Sequence, residues 1–511
     1  MSGPQRISSD SGRWRLHDAR ASRAVEAQAG VGLDPHTLMQ RAGLAVARLA
    51  LALAPHEERV WIAAGPGNNG GDGFEAAFHL QQAGRQVLVT ALGDAARRPA
   101  DAVASLARAQ AAGVRIDSAM PAGPPEGLAI DALLGLGSTR APEGAIADAI
   151  RRFNEHGGTR LAIDLPSGLD ADRGQAQGAQ GSAAHASHTL ALLTLKPGLF
   201  TAHGRDAAGE VWFDDLACGE AAAGIPVRAW LGGADAAAEM DAPRRHAQHK
   251  GSFGDVLVVG GASGMAGAAL LAARAALAGG AGRVYVSALD PESCGVDGSW
   301  PELMFRPGFW RDNAAALASS TVVCGCGGGD AVRDALPVVL ARSPRLVLDA
   351  DALNAIAADS ALQAQLAARA TRGQASVLTP HPLEAARLLG AAGANAVQVD
   401  RLGQAESLAA RFGCVVLLKG SGSVIAARGQ ASAINASGNA RLATAGTGDV
   451  LAGWLGGLWA AAQSQSSAPE PHRVAQAAAW LHGRAAESGS QHEPLTASRL
   501  LQALMGTHGA R

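Results

Sequence analysis

The stretch Ala443-Thr444-Ala445-Gly446-Thr447-Gly448-Asp449-Val450-Leu451-Ala452-Gly453 joins a glycine loop to the start of an apolar helix. Gly446 and Gly448 leave the backbone around Thr447 free to adopt unusual conformations. The unpaired N–H groups of the first helical turn and the positive end of the helix dipole favour an anion in front of the helix. The stretch therefore predicts a phosphate-binding loop.

A carboxylate in such a loop needs a reason, because it repels the phosphate. One interpretation of Asp449 is structural, since Asp is a favoured N-cap residue. The other is chemical, because an Asp beside a bound phosphoryl donor can accept the proton of an attacking hydroxyl as a general base. Both interpretations are open from the sequence.

Length and charge limit the classes of protein that fit. A chain of 511 residues is too long for one ordinary core, so we expect at least two domains. The net charge of −2 and the pI near 6.7 argue against nucleic acid or an anionic membrane as a main partner. With 65 glycines and 48% hydrophobic residues, the chain is typical of a compact globular protein that binds small molecules.

The cysteines and the apolar runs indicate a cellular compartment. The five cysteines form no C-x-x-C pair and have no metal-type spacing with histidine, which fits a reducing cytoplasm. No uncharged apolar run of about 18 residues is present, and the arginine-rich N-terminus has no apolar signal segment. We expect a cytoplasmic homo-oligomer without a membrane partner.

Strand and helix patterns alternate through the first half of the chain. Helices are predicted near 17–29, from Asp34-Pro35 to 53, at 74–83, 99–112 and 143–156, and strands at 60–64, 87–92, 128–134 and 160–165. This alternation predicts a Rossmann-like, doubly wound α/β sandwich with a parallel sheet. Ligands in such sheets bind at the carboxyl ends of the strands.

Polar residues follow three of these strands. They lie in the loop from Gly67 to Gly73, at Asp131 before Gly135-Leu136-Gly137, and in the segment from Asp164 to Asp170. The oxygens of Asn69, Asp131 and Ser167 suit a hard cation, while the glycines let the backbone approach a large ligand. A hydrogen-bonded loop triad without an ion is the alternative.

Gly67-Asn68-Asn69-Gly70-Gly71-Asp72-Gly73 and Asp164-Leu165-Pro166-Ser167-Gly168-Leu169-Asp170 together resemble the NAD(P)H-hydrate epimerase (YjeF N-terminal) family, over about residues 10–220. The resemblance implies potassium ligands at Asn69, Asp131 and Ser167, and a catalytic Asp164. The implied hydrated-nicotinamide site contains Asn68, Asn69, Gly70, Gly71, Asp72, Gly135, Leu136, Gly137, Ser138, Thr139, Arg140, Ala141 and Asp164. Leu136 and Leu165 depart mildly from the usual Thr and Ile.

Helix and strand signals fade after 211–213, so we place a domain boundary near residue 222 and predict domains at 1–222 and 223–511. The second half again alternates. Strands are predicted at 227–231, 256–259, 283–287, 321–324, 346–348, 376–378, 415–418 and 423–426, with Ala-rich helices between most of them. A second α/β sandwich follows from this pattern.

Polar groups also end the strands of this second half. They occur in Asp349-Ala350-Asp351, in Thr379-Pro380-His381-Pro382 and in Lys419-Gly420-Ser421-Gly422-Ser423. The loop at Lys419 offers a cation and a flexible backbone to a nucleotide phosphate, although an ordinary hairpin turn is the alternative. Together with Asp449 these groups predict a phosphoryl-transfer site, in which the spacing reveals no magnesium-type acidic cluster.

The ordered set His249-Lys250-Gly251, Gly264-Met265-Ala266-Gly267-Ala268, Asp349 to Asn354, Pro380-His381-Pro382 and Gly446-Thr447-Gly448-Asp449 resembles the NAD(P)H-hydrate dehydratase family, which has a ribokinase-like α/β fold. The resemblance covers about residues 225–505. It implies that Ala268, Gly327, His381 and Asp449 contact the hydrated cofactor, and that Lys419, Gly420, Ser421, Gly422, Ser423 and Gly448 contact the adenine nucleotide. Departures occur at Gly325-Cys326-Gly327-Gly328-Gly329, where Gly-Pro-Gly-Leu-Gly is usual, and at Leu383 and Ala445, where Gly is usual.

The two halves in one chain resemble the bacterial bifunctional enzymes that repair hydrated NADH and NADPH (NADHX and NADPHX). The resemblance implies an epimerase followed by an ADP-dependent dehydratase that makes AMP and phosphate, with potassium and magnesium as cofactors. The alternative is a small-molecule (vitamin or sugar) kinase joined to a non-catalytic binding or scaffold domain.

Overall fold

The computed structural model describes residues 3–10, 12–121, 123, 126–178, 182–241, 243–293, 295–463, 468–489 and 493–508. The chain forms two compact units. One contains Met1–Ser8 and Trp14–Ala229, and the other contains Ser9–Arg13 and Trp230–Arg511. The sequence places the domain boundary near residue 222, a short way before this division.

The first unit alternates strands and helices. Its strands are β1 (Gln5–Arg6), β2 (Trp14–Leu16), β3 (Arg59–Ala64), β4 (Gln86–Ala91), β5 (Arg115–Asp117), β6 (Leu128–Ala132), β7 (Arg160–Ile163), β8 (His188–Leu192) and β9 (Glu210–Asp214). Its helices are α1 (Ala19–Ala29), α2 (Thr37–Leu53), α3 (Asn68–Gln82), α4 (Ala100–Ala111), α5 (Gly144–Asn154) and α6 (Gly204–Ala208).

The sheet of the first unit has the strand order β1-β9-β8-β7-β6-β3-β4-β5. All of its neighbouring pairs are parallel except β1 with β9. This arrangement confirms the predicted doubly wound α/β fold. Because β3, β6 and β7 are neighbours, the segments that follow them meet at one edge of the sheet.

Two helix starts differ from the sequence analysis. Helix α3 begins at Asn68 and not at Phe74, so most of the glycine loop is helical. Helix α2 has His36 at its N-cap with a φ of 70°, and no side chain caps it, so Asp34 is not the capping residue. The sequence analysis also missed β8, which lies between β7 and β9.

The second unit is built in the same way. Its strands are β10 (Ala229–Gly232), β11 (Asp255–Gly260), β12 (Arg283–Ala288), β13 (Met304–Phe305), β14 (Thr321–Cys324), β15 (Arg345–Leu348), β16 (Ala375–Leu378), β17 (Val415–Leu418), β18 (Val424–Ala426) and β19 (Ser432–Asn435). Its helices are α7 (Ala234–Glu239), α8 (Ala266–Ala278), α9 (Phe309–Asp312), α10 (Ala314–Ser319), α11 (Val332–Arg342), α12 (Ala350–Ala358), α13 (Ser360–Thr371), α14 (Pro382–Leu389), α15 (Ala394–Gln398), α16 (Arg401–Phe412), α17 (Thr447–Ala462), α18 (Pro471–Glu487) and α19 (Ala497–His508).

These strands follow the order β13-β12-β11-β14-β15-β16-β17-β18-β19-β10. The pairs from β13 to β17 are parallel, whereas β17, β18 and β19 pair antiparallel. The second α/β domain is thereby confirmed, with β13 and β19 as additions that the sequence analysis did not assign.

Helix α17 is the central helix of the second unit. Trp454 and Trp459 on it are buried, and the helix packs against α8. Its first residue is Thr447, and its N-cap is Gly446 with a φ of 86°. Asp449 therefore lies in the first turn and is not the N-cap, so the capping interpretation of this residue is wrong. Within the described part of the chain, no helix is long and apolar enough to span a membrane.

Candidate functional site

A cavity of about 960 Å³ opens at the carboxyl edge of the first sheet. The side chains and backbone that line it include the end of β7 and the loop after β6. Of the residues implied by the resemblance, the cavity is lined by Asn68, Asn69, Asp72, Gly135, Leu136, Gly137, Ser138, Thr139, Arg140, Ala141 and Asp164.

Gly70 and Gly71 belong to the same implied set but do not line this cavity. A Cβ on Gly70 would lie 2.0 Å from the carbonyl oxygen of Gly65, and one on Gly71 would lie 2.5 Å from the sulfur of Met39. These two positions therefore need glycine because α3 packs closely on its neighbours, whatever the ligand.

The loop 135–141 is anchored at two points. Ser138 donates a hydrogen bond to Gln177 at 3.0 Å, and Gln177 returns one to the Ser138 carbonyl at 2.7 Å. Arg23, on α1, donates to the carbonyl oxygen of Leu136 at 3.0 Å. The loop is thus held in place along one wall of the cavity.

Asp164 is held in a left-handed backbone conformation with a φ of 66°. Its carboxylate accepts hydrogen bonds from the Lys196 ammonium and, at 3.2 Å, from the Leu192 amide. Lys196 is fully buried and also donates to the Leu192 carbonyl at 3.1 Å. The Lys196 ammonium therefore orients the Asp164 carboxylate. The sequence analysis did not single out Lys196, whose only signal is its place after an apolar strand.

Two further carboxyl groups line the same cavity as Asp164, namely Glu26 and Asp72. Burial raises the pKa of Asp72 well above its usual range, and the charges of Asp164 and Glu26 raise it further. Burial also raises the pKa of Glu26, with Asp164 adding to the effect. Three carboxyl groups thus line one cavity, two of them with raised pKa values, and such a group of carboxyls can serve proton transfer.

The implied potassium ligands meet around the backbone of Leu134. The Asp131 carboxylate accepts hydrogen bonds from the Ser167 hydroxyl at 2.6 Å, the Ser167 amide at 2.8 Å and the Leu133 amide at 3.1 Å. The Asn69 amide donates to the Leu134 carbonyl at 3.1 Å, and the Ser167 hydroxyl oxygen, which accepts the Leu134 amide at 2.8 Å, lies 3.2 Å from the same carbonyl. Burial raises the pKa of Asp131 to about 6, although these hydrogen bonds lower it in part.

In the second unit, Lys419 at the end of β17 faces Asp349 at the end of β15. The ammonium lies 2.7 Å from Asp349 Oδ1, and the Thr379 hydroxyl donates to the same oxygen at 2.7 Å. Burial lowers the pKa of Lys419, but Asp349 and Glu384 raise it by more, so the net change is upward. Lys419 is consequently a fixed positive charge at this edge of the sheet.

His381 is the N-cap of α14 and forms a capping box with Glu384. Its Nδ1 accepts the amide of Leu383 at 3.1 Å, and its Nε2 lies 3.2 Å from a Glu384 oxygen. The other Glu384 oxygen lies 3.9 Å from the Lys419 ammonium. Burial raises the pKa of Glu384 to about 7, with Lys419 opposing the rise. Glu384 therefore lies between His381 and the Lys419 ammonium and is close to both.

Asp449 completes this cluster from the start of α17. A carboxylate oxygen of Asp449, one of Asp349 and the Cys326 sulfur all lie within 4.8 Å of one another. Burial and the nearby Asp349 charge raise the pKa of Asp449 to about 6, against a hydrogen bond from the Cys326 thiol that lowers it. The sequence analysis assigned Asp349 and Asp449 to one site but did not recognise them as a close acidic pair, because they are far apart in the chain.

Ala268 and Gly327 lie next to each other beside this cluster. A Cβ on Gly327, whose φ is 58°, would come 2.8 Å from the Ala268 Cβ and 2.7 Å from the Met265 carbonyl oxygen. Cys326, the residue before Gly327, lies close to Asp449, so it connects Ala268 and Gly327 to Asp449. The structure thereby brings Ala268, Gly327 and Asp449 close together, whereas His381 is linked to them indirectly, through Glu384, Lys419 and Asp349.

The loop 419–423 is held by Arg401, which the sequence analysis did not identify. This side chain is 1% exposed, and its guanidinium donates to the carbonyls of Lys419 at 3.2 Å and of Leu418 at 3.3 Å. A Cβ on Gly448 would be 3.5 Å from the Lys419 ammonium. The implied nucleotide-binding loop therefore lies beside the start of α17.

Two family models match the chain. The model described as YjeF-related protein N-terminus matches residues 35–198, and the NAD(P)H-hydrate dehydratase model matches residues 256–505. A structure of the ADP/ATP-dependent NAD(P)H-hydrate dehydratase of Bacillus subtilis, co-crystallised with ATP and Mg²⁺, is 29% identical, with a TM-score of 0.42. That comparison covers 52% of this chain and 93% of the other.

Curated relatives match across both units. The bifunctional NAD(P)H-hydrate repair enzyme Nnr of Escherichia coli strain K12 is 35% identical over 480 residues, which are 93% of this chain and 89% of the relative. The enzyme of the same name from Coxiella burnetii is also 35% identical, over 90% of this chain and 91% of the relative. The chain therefore belongs to the family of bifunctional NAD(P)H-hydrate repair enzymes.

Proposed function

We propose that residues 1–222 interconvert the R and S epimers of hydrated NADH and NADPH, and that residues 223–511 dehydrate the S epimer with ADP. The products of the second reaction would be NAD(P)H, AMP and phosphate. The observation that carries the proposal is the cluster of Asp449, Asp349, Lys419 and Cys326 at the start of α17. It combines a base, a fixed cation and a helix N-terminus at one place.

In the dehydratase reaction, Asp449 accepts the proton of the ring hydroxyl as its oxygen attacks the β-phosphorus of ADP. The new O–P bond forms as the bond between the β-phosphorus and the bridging oxygen breaks, and AMP leaves with that oxygen. Hydroxide is a poor leaving group, whereas the phosphate of the new ester leaves readily. Its C–O bond then breaks, the ring loses a proton from the neighbouring carbon, and the dihydronicotinamide double bond is restored.

The contacts of the cluster suggest how the two substrates lie. The hydrated ring would contact Ala268, Gly327, His381 and Asp449. The nucleotide would contact Lys419, Gly420, Ser421, Gly422, Ser423 and Gly448, with its phosphates at the N-terminus of α17.

Magnesium would accompany the nucleotide in this site. A Mg²⁺ ion usually takes one or two carboxylates plus substrate phosphates, and Asp349 supplies such a carboxylate here. When bound, the ion neutralises phosphate charge as the phosphoryl group is transferred. The Asp349 carboxylate together with the nucleotide phosphates therefore fits the metal.

In the epimerase reaction, we propose Asp164 as the catalytic residue. The carbon that epimerises carries both the hydroxyl and the ring nitrogen. If its C–N bond breaks, the hydroxyl loses its proton to become a carbonyl and the nitrogen gains one; closure on the other face then gives the second epimer. Asp164, oriented by Lys196, would accept the proton from the hydroxyl and deliver a proton to the ring nitrogen.

We also propose a potassium ion at Asn69, Asp131 and Ser167. Two observations on Asp131 support this ion. Its carboxylate is fully buried and accepts several hydrogen bonds, and burial raises its pKa to about 6. A nearby cation would favour the ionised form. One carboxylate among neutral oxygens suits a monovalent ion better than Ca²⁺ or Mg²⁺.

The experiment is to mix the purified protein with the S hydrate of NADPH, ADP and Mg²⁺ and to follow recovery of dihydronicotinamide absorbance. We expect recovery with ADP and none without nucleotide. A parallel reaction with the R hydrate should recover only after epimerisation. If the hydrate is untouched while vitamin alcohols yield stable phosphate esters, the small-molecule kinase alternative is correct.

A cytoplasmic, homo-oligomeric enzyme remains part of the proposal. The support for the compartment is that the described cysteines, Cys218, Cys324, Cys326 and Cys414, are free thiols. Light scattering on the purified protein measures the oligomeric state, and fractionation of the source cells measures the compartment.

A further inference from the structure

We propose that Cys326, Asp349 and Asp449 form a site for a thiophilic divalent cation such as Zn²⁺ or Cd²⁺, and that its occupation blocks the dehydratase. The three ligand atoms lie within 4.8 Å of one another and come from three separate segments of the second unit. Cys326 and Asp349 are 0% and 2% exposed, whereas Asp449 is partly exposed. A cation therefore reaches the group from the Asp449 side.

The chemistry of the donor set decides the class of metal. Two carboxylates alone suit hard cations such as Mg²⁺, but a thiolate shifts the preference toward Zn²⁺ and other soft or borderline ions. Three protein ligands with a fourth position for water are the usual arrangement of a zinc ion in a catalytic site. Ligand atoms around tetrahedral zinc lie about 3.5 Å apart. The three side chains would therefore need to move by only about an ångström to bind the ion together.

Lys419 limits how strongly this site binds. Its ammonium lies 2.7 Å from Asp349 Oδ1, so the cation would use Asp349 Oδ2. That oxygen lies toward α17, since a Cβ on Gly448 would be 4.0 Å from it. The positive charge of Lys419 weakens binding, which favours a reversible site over a permanent structural metal.

Binding forms a metal–sulfur bond and releases the Cys326 thiol proton to solvent, with no oxidant or reductant needed. It also places the cation on the Asp449 carboxylate, which the proposed function uses as its base. Occupation would then stop proton acceptance by Asp449. The binding itself does not depend on that proposed function, because it follows from the three ligand atoms alone.

The first test titrates the metal-free full-length protein with Cd²⁺ and records the ultraviolet cadmium–thiolate charge-transfer band, with Zn²⁺ affinity from a competing chelator dye. Cys326→Ser should remove its share of the band and weaken Zn²⁺ binding at least about tenfold. The matched control is Cys324→Ser, because Cys324 is equally buried two positions earlier but lies outside the group. An unchanged band and affinity in Cys326→Ser would overturn the proposal.

A second variant guards against a folding defect in Cys326→Ser. Asp449→Asn replaces the charged carboxylate ligand with a neutral amide, which binds metals more weakly, and should also weaken Zn²⁺ binding at least about tenfold, a measurement that needs no activity. Equal affinity of this variant and the wild type would exclude Asp449 as a ligand and contradict the site.

The activity measurement addresses the blocking effect. Zn²⁺ in the presence of excess Mg²⁺ should inhibit the dehydratase and leave the epimerase unaffected, and a chelator should restore the rate. In Cys326→Ser the inhibition constant, taken relative to that variant's own metal-free rate, should rise at least about tenfold. Binding by the wild type without inhibition would contradict the regulatory part of the inference.

Discussion

At the scale of single residues, Asp449 carries the clearest prediction. In the Asp449→Asn variant the ADP-dependent repair rate should be about 10²–10⁴-fold lower, because an amide cannot accept a proton. Epimerisation should be unchanged, since it takes place in the other unit. Rates with pure S hydrate and ADP measure the first effect, and the R to S conversion is the control. A variant that keeps more than about a tenth of the rate would show that Asp449 is not the base.

The same residue predicts a pH dependence. Burial and the charge of Asp349 raise the pKa of Asp449 to about 6. Because the base must be ionised, the wild-type repair rate should be maximal above that pH and fall as the pH drops through it. A pH profile of the dehydratase rate under saturating substrates provides the measurement, and a flat profile down to about pH 4 would contradict this role.

Asp131 gives the residue-level prediction for the first unit. Asp131→Ala should weaken hydrate binding and slow epimerisation, because it removes the only carboxylate of the proposed potassium site. Dehydration of pure S hydrate should not change. The measurement is the epimerisation rate with and without potassium. Equal rates in buffer free of potassium and sodium, together with only water between these side chains in crystals grown in potassium, would mean that no ion site exists.

The sequence placed several of these residues but not their partners. The loop chemistry of 446–449 indicated a base near a phosphate, and the structure has Asp449 in the first turn of α17. The contacts of Asp449 with Cys326 and Asp349 join segments that are distant in the chain. No local pattern encodes such contacts, because they follow from the order of strands in the sheet.

At the scale of elements, the packing of α17 against α8 predicts a strong effect of one methyl group. A Cβ on Gly453 would lie 1.9 Å from the carbonyl oxygen of Ala272, so Gly453→Ala must push the two helices apart. We expect a loss of at least about 2 kcal/mol.

Calorimetry of the full chain measures this effect as a lower midpoint for the second unit. Gly267→Ala is the control, since nothing lies within 4 Å of a Cβ at that position in α8. It should change stability by no more than about 0.5 kcal/mol or raise it slightly. Similar midpoints for the two variants would contradict the close packing.

A buried ion group between α3 and α4 predicts acid sensitivity of the first unit. Glu75 is fully buried; the Ser105 hydroxyl donates to it at 3.0 Å, and Arg108 and His79 lie 3.3 and 3.4 Å away. Burial alone would raise the pKa of Glu75, but the close His79 ring, the hydrogen bond from Ser105 and the charge of Arg108 bring it below 4.5. The ionised carboxylate therefore stabilises the folded state.

Glu75→Gln should lower the free energy of unfolding by about 2 kcal/mol at neutral pH. Because the folded-state pKa is depressed, the advantage of the wild type is complete above the unfolded value near 4.5 and disappears as the pH falls through the folded value. Thermal unfolding of both proteins from about pH 7 to pH 3 tests this. A difference that stays constant over this range would contradict the electrostatic origin.

Element prediction failed where tertiary packing outweighs local preference. Residues 68–73 look like a loop because glycine is a poor helix former, yet they form the start of α3. A Cβ on Gly73 would lie 2.6 Å from the Cβ of Ala132, so the helix can lie this close to β6 only with glycine there. The β-branched central strands were predicted well because both of their faces are buried.

At the scale of the whole molecule, the fold class and the two-domain organisation were predictable because each half repeats strand, loop and helix with polar residues after the strands. The cavity wall was less predictable. Glu26 joins it from α1 and Lys196 reaches Asp164 from beyond β8, and neither belongs to a motif. Both residues acquire their roles from burial beside Asp164, which a sequence does not display.

Because each unit is assigned one of the two reactions, variants defective in different units should complement each other in a predictable way. With an equimolar mixture of R and S hydrates, Asp164→Asn should repair the S half and stop, apart from slow spontaneous epimerisation, whereas Asp449→Asn should repair neither. The physical reason is that each variant lacks one proton carrier and keeps the other site intact. Recovery of dihydronicotinamide absorbance measures the extent.

Mixing the two variants should restore complete repair, because the epimerised hydrate is a small molecule that diffuses between proteins. The rate should then depend on the concentration of each variant. The wild type, at the same concentration of intact epimerase and dehydratase sites, is the reference. If the mixture stops at the S half although each variant retains its remaining activity, free diffusion of the hydrate is excluded, and the two reactions must pass their intermediate within one protein.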